Sequence, residues 1–219
     1  MIQYGQFCAI ARALEILGER WTLLIVRELM LGEGRFNDIR RGLPRISPSV
    51  LSSRLKALEK FGIIETCDKG YRLTESGAGL APVIAAMGGW AMRWDRRGLL
   101  PTHLDPDVLV RDVSRRLNVN LLPRIPTLVE LKFLGRAERY FLHIARPYVA
   151  VCSDDGGQEV ALSVTADLQS MTRYWIGELT WEYLLRSRKV ELVGPTALQR
   201  EFPTWFSGYL LANHSDEAG

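Results

Sequence analysis

RISPSVLSSRLKALEKFGII, Arg45–Ile64, decides how the first half of this chain folds. Leu51, Leu55 and Leu58 recur at the spacing of a helix with one buried side. Ser47 followed by Pro48 marks the start. The hydroxyl can accept from an orphan amide, and proline fits a first-turn position that needs no N–H. Gly62 marks the stop. Four serines (Ser47, Ser49, Ser52 and Ser53) nevertheless crowd the front, although serine hydroxyls compete for backbone groups and weaken helices. At about 100° per residue, Leu55 and Leu58 fall within about 40° of Leu51. The opposite side then carries Ser49, Ser53, Lys56 and Lys60, with Ser52 at its edge. Arg54 falls toward the core flank, where it can brace a neighbouring helix. Small hydroxyls followed by lysines suit a helix lying in the roughly 12 Å wide major groove. Short side chains permit close approach, hydroxyls reach phosphates or base edges, and the helix N-terminus favours phosphate. The bland alternative is that Ser47 is only a cap and the rest only a solvated face.

Working outward, residues 8–17 and 19–31 are apolar at helical spacing through Leu14, Leu17, Trp21, Leu24, Ile25 and Leu29, and Gly32 and Gly34 stop the second segment. The short RFNDIRRGL follows, with Phe36, Ile39 and Leu43 on its apolar side. After the serine-bearing helix, IIETCD and YRLTES read as strands around the tight-turn signal Asp68-Lys69-Gly70. Residues 77–97 return to helix, with Trp90 and Trp94 and a candidate break at Gly88-Gly89. This order is that of a winged helix-turn-helix. Its candidate DNA contacts are Arg35, Asn37, Arg40, Arg41 and Arg45 on the flanks and Ser47, Ser49, Ser52, Ser53 and Lys56 on the helix. Lys69, Tyr71 and Arg72 belong to the wing. Residues 34–72 hold nine Lys and Arg against four Asp and Glu, whereas residues 99–219 hold thirteen against fifteen. Basic charge gathers where phosphates would be met.

Residues 99–106 read as a proline-bearing linker after a first domain at 1–98. Beyond it, TLVELKFLG, ERYFLHIA, YVAVCSDD and QEVALSVT read as strands, and ADLQSMTRYWIGEL and TWEYLLRS as helices. KVELVG is another strand and PTALQREFPTWF a closing helix, before a polar tail at 208–219. Strands grouped ahead of helices predict an α+β domain at 107–207, its antiparallel sheet covered by helices.

The odd, scattered cysteines Cys8, Cys67 and Cys152 argue against a disulfide framework and for a cytoplasmic location. The opening residues lack a basic secretory leader, and no apolar run is long enough to cross a bilayer, so no membrane partner is expected. His103, His143 and His214 share no metal-ligand spacing. No nucleophile elbow, phosphate loop or dinucleotide fingerprint is present. Neither a catalytic site nor a cofactor is expected.

The stretches that set this order are the Cys8 start, GERWTLLIVREL, RFNDIRRGLPRIS and SSRLKALEKFGII, with YRLTESG beyond. Together they resemble the HxlR-type winged-helix transcriptional regulators over most of residues 7–97. The resemblance implies a homodimer on double-stranded operator DNA, acting as repressor or activator, with dimer contacts from the first and last helices of the domain. It also implies that a cysteine at position 8 sometimes senses oxidants or electrophiles, with small-residue packing as the alternative. Family members often carry Lys where this chain has Ser49. Residues 107–207, most clearly 160–206, resemble a sterol carrier protein-like domain, which implies an apolar cavity for a small effector. Candidate lining residues are Leu131, Phe133, Phe141, Leu168, Trp175 and Leu184. The competing reading is a carrier of apolar ligands whose winged helix serves only assembly.

Overall fold

The computed structural model describes residues 3–95 and 97–209. The chain divides into two compact units, Met1–Trp90 and Ala91–Gly219. The polar tail falls mostly outside the described residues.

In the first unit, α1 (Ala9–Leu17), α2 (Thr22–Met30), α3 (Phe36–Gly42) and α4 (Pro48–Lys60) precede a hairpin of β1 (Ile64–Cys67) and β2 (Gly70–Leu73). The short α5 (Glu75–Ala78) and α6 (Ala81–Trp94) follow. The apolar sides of α2, α3 and α4 meet in one core, with Ile25, Val26, Ile39, Leu51, Leu55 and Leu58 all buried. Ser47 caps α4, its Oγ accepting from the Val50 amide at 3.3 Å, and Pro48 fills the first turn. At the other end Gly62 takes φ +68°, and the Ile63 amide turns back onto the Leu58 carbonyl at 3.0 Å. A side chain at that φ would be strained, so glycine ends the helix and aims the chain into β1. The hairpin is antiparallel with Cys67 opposite Gly70. Its backbone joins the α2–α3 loop through the Tyr71 amide and the Gly34 carbonyl at 2.8 Å. α6 runs unbroken through Gly88 and Gly89, in contrast to the expected interruption.

The second unit begins differently from the sequence expectation. Residues Pro101–His103 form a single 3-10 turn, and Asp105 in the presumed linker already caps α7 (Pro106–Arg115), accepting from the Asp107 and Val108 amides. The sequence pattern predicts no helix there. Its Leu109, Val110 and Val113 are nonetheless buried. Then come β3 (Thr127–Phe133), β4 (Arg139–Ala145), β5 (Tyr148–Cys152), β6 (Leu162–Ala166), α8 (Leu168–Trp175), α9 (Trp181–Arg186), β7 (Val190–Val193) and α10 (Thr196–Glu201). The sheet order is β5-β4-β3-β6-β7. It is mixed rather than antiparallel, because β3 and β6 pair in parallel, Val129 opposite Leu162. The side-chain alternation that reveals a strand is the same in either direction, so the sequence could not fix this pairing.

One face of the sheet and the helices enclose the second core. α7 is fastened to it by two acids: Asp112 accepts from Trp175 Nε1 at 2.7 Å, and Asp107 from Tyr140 Oη at 2.6 Å. Leu131, Phe133, Leu168, Trp175 and Leu184 lie together in this core. Phe141 does not. Tyr140, Leu142 and Ile144 point to the helices, which turns Phe141 to the opposite face, in register with Glu130 and Cys152. There the Arg139 guanidinium stacks over the Phe141 ring at 5.2 Å. Phe141 therefore cannot line one interior with the other five, since alternate strand residues do not share a face.

Candidate nucleic-acid interface

Leu51, Leu55 and Leu58 commit one side of α4 to the core, leaving Ser49, Ser53, Lys56 and Lys60 exposed on the other and Ser52 half-buried at the edge. Ser47 and Ser49 lie side by side at the helix start, Oγ to Oγ 3.1 Å. One exposed residue went unremarked in the sequence. Val50, 36% exposed, stands beside Ser49, and its intermediate angle on the helix wheel was the available signal.

The cations divide by their partners. Arg54 Nη2 reaches Glu19 Oε2 at 2.7 Å, bracing α4 against the turn after α1 as its angular position predicted. Arg41 is held by Asp38 at 2.8 Å and Arg72 by its cross-strand neighbour Glu65 at 2.8 Å. Arg35, Arg40, Arg45, Lys56, Lys60 and Lys69 are exposed and form no ion pair among the described residues. Unpaired exposed cations keep their full attraction for an external anion, whereas paired ones have part of it cancelled. Asn37 is exposed beside them, and Tyr71 is half-buried, packed against the domain core. The wing, the α2–α3 loop and the start of α3 also border a groove of about 630 Å³. Arg35, Lys69 and Arg72 stand around it, and Leu29 and Leu73 contribute its apolar part.

Cys8 sits half-exposed at the N-cap of α1. The backbone amides of Ala11 and Ile10 at the start of α1 lower its thiol pKa from the ordinary value. Apolar side chains are exposed on the helices at both ends of the first unit. Phe7 is 99% exposed just before α1, and Ile10 and Leu14 follow on it. On α6, Val83, Met87, Trp90 and Trp94 form an exposed stripe at spacings of four, three and four. Among the described residues no cluster of His, Cys, Asp and Glu is arranged to hold a metal, and no helix is long and apolar enough to cross a membrane.

The model of the HxlR-like helix-turn-helix family matches residues 16–98. YvaP of Bacillus subtilis, an HTH-type transcriptional regulator, is 41% identical over 101 residues, which is 43% of this chain and 90% of YvaP. The chain belongs to the HxlR-like helix-turn-helix family. YodB of Bacillus subtilis, also an HTH-type transcriptional regulator, is 40% identical over 86 residues, covering 36% of this HxlR-like chain and 77% of YodB. The crystal structure of quinone-bound YodB aligns with 39% of this chain and 97% of that one, at a TM-score of 0.37 and 40% identity. These matches fall on the winged-helix half. The sterol carrier resemblance of the C-terminal half finds no counterpart in them.

Proposed function

We propose that this HxlR-like protein is a homodimeric, cytoplasmic regulator of transcription that binds operator DNA through α4 and the wing. The observation that carries the reading is the outward side of α4. Its hydroxyls and unpaired lysines face solvent while its leucines are locked in the core. Arg35, Arg40, Arg45 and Lys69 extend that cationic surface to the flanks and the groove beside the wing. In this geometry the phosphates are met first by side chains free of internal partners. Ser49, Ser52, Ser53 and Val50 are left for base edges.

Dimerisation is supported by the exposed stripes of α1 and α6, since contiguous apolar surface of this kind marks an interaction site. A two-fold dimer would set its recognition helices about 34 Å apart, on a pseudo-palindrome. The C-terminal unit is the candidate effector-binding part, through the apolar interior where Leu131, Phe133, Leu168, Trp175 and Leu184 meet. An effector there acts only if it prefers one disposition of the DNA-reading halves. Cys8 is a candidate thiol sensor.

The test is binding of the purified full chain to DNA from its own promoter region, against scrambled DNA, over a salt series. Preferential binding that falls steeply with salt is expected. A flat salt response without preference for the promoter removes the reading.

A further inference from the structure

The groove beside the wing offers more than a phosphate can use. Arg35, exposed just before α3, and Lys69, exposed in the hairpin turn, border it without an ion pair among the described residues. Arg72 is held there by Glu65, and of the two bordering acids Asp38 is held by Arg41. That leaves Asp68 against the free pair of cations. Leu29, Leu73 and the half-buried Tyr71 give the groove an apolar part as well. A DNA phosphate can engage the two cations but gains nothing from the leucines.

Backbone contact, rather than movable side chains, fixes the groove. The Tyr71 amide donates to the Gly34 carbonyl at 2.8 Å. Gly70, at φ +116°, lies so near that carbonyl that any side chain on it would collide. Glycine therefore lets the wing and the α2–α3 loop close into one wall. The volume of about 630 Å³ falls within the roughly 300–1,000 Å³ of small-molecule sites, which combine an apolar lining with a few placed polar groups. A guanidinium such as that of Arg35 matches a carboxylate through two parallel hydrogen bonds, and a lysine such as Lys69 adds a point charge. We infer that this groove binds a small organic carboxylate with an apolar body, and that such a ligand displaces DNA by occupying Arg35 and Lys69. The displacement rests on the DNA-binding reading, whereas the site itself does not.

Cys67 lines the groove and reports on it. The full chain is pulsed with iodoacetamide in the presence of naphthoate, its neutral amide naphthamide, or inorganic phosphate. Peptide-resolved mass spectrometry compares alkylation of Cys67 with that of the exposed Cys152. Naphthoate should protect Cys67 saturably and leave Cys152 unchanged. The amide lacks the charge and phosphate lacks the apolar body, so each should need at least roughly tenfold more for the same protection. Arg35→Ala and Lys69→Ala, both at exposed positions, should each weaken protection by naphthoate several-fold. No protection, protection by phosphate or amide equal to that by naphthoate, or undiminished protection in Arg35→Ala overturns the site. With promoter DNA, naphthoate should raise the half-saturating protein concentration and naphthamide should not. Protection of Cys67 without that shift overturns the displacement. Protection in a chain that binds no DNA removes the DNA-binding reading and leaves the site standing.

Discussion

The carboxylate of Glu28 occupies the place where a side chain on Gly42 would begin, its Oε2 filling the position a Cβ would take. Glu28 is buried in α2 and ion-paired with Arg27 at 2.5 Å, and Gly42 ends α3. The contact sets how closely α3 approaches α2, and through Leu43 and Ile46 where α4 begins. Gly42→Ala must push a buried, paired carboxylate aside. We expect a loss of about 1–3 kcal/mol, the usual cost of overpacking. A thermal or denaturant melt measures it, and unchanged stability would show that the Glu28 side chain relaxes freely.

The division of cations by partner gives unequal effects on DNA binding. Lys56→Ala should weaken binding and reduce the salt slope by about one phosphate contact. Arg40→Ala and Arg45→Ala should act likewise. Arg41→Ala should cost less, because Asp38 already holds that guanidinium. Arg54→Ala should leave the slope unchanged, since its partner is Glu19. Salt-dependent binding curves for the five variants separate these outcomes, and an equal loss at Arg41 and Arg40 would contradict the division.

The exposed stripe of α6 predicts that association depends on Trp90, 65% exposed. Trp90→Glu places a charge in that stripe and should shift the chain toward monomer in analytical ultracentrifugation. It should leave the far-UV spectrum unchanged, because the residue contributes nothing to the buried core. A wild-type sedimentation profile for the variant would remove α6 as an association surface.

What could be read from the sequence was whatever its local pattern determines. The leucine spacing of α4, the Ser47-Pro48 start, the Gly62 stop and the Asp68-Lys69-Gly70 turn are each fixed within a few residues, and each stands where expected. The angular position of Arg54 even foretold its bracing role. The pairings of Arg41 and Arg72 were not legible, because they follow from where Asp38 and Glu65 come to lie. The parallel pairing of β3 and β6 leaves no trace in side-chain alternation. Phe141 was misplaced because Tyr140, Phe141 and Leu142 are consecutively apolar, which hides the parity of β4. α7 is hidden because Pro101 and Pro106 lie close together ahead of it in a linker-like composition, although Asp105-Pro106 is a helix start of the same kind as Ser47-Pro48.

Cys8 should behave as an activated thiol. The Ala11 and Ile10 amides lower its pKa, so its thiolate persists to lower pH than that of a free cysteine. The ratio of its alkylation rate to that of N-acetylcysteine should therefore rise as pH falls from 9 toward 6, the expected sign for a depressed pKa. Peptide-resolved mass spectrometry after iodoacetamide pulses measures this. A ratio independent of pH would mean that the amides do not stabilise the thiolate in solution.

Glu130 gives the C-terminal unit an acid-sensitive point. It lies on the sheet face away from the helices, 4% exposed, opposite Phe141 on β4 and Ser163 on β6. Burial raises its pKa, but hydrogen bonds from Ser163 at 2.7 Å, from Arg139, and from Lys132 at 3.1 Å outweigh it, so the carboxyl is held below its ordinary value. A depressed folded-state pKa means that ionised Glu130 contributes stability above the unfolded value of 4.5. That contribution is lost as pH falls through the lower, folded value. The Glu130→Gln variant should lose about 1–3 kcal/mol at neutral pH, because Arg139 and Lys132 are left without their counter-charge. The difference should shrink below pH 4.5, where the wild-type carboxyl is itself becoming protonated. Melts of both proteins from neutral pH to about 3 follow the two curves, and curves that stay parallel would show that Glu130 does not carry the acid response.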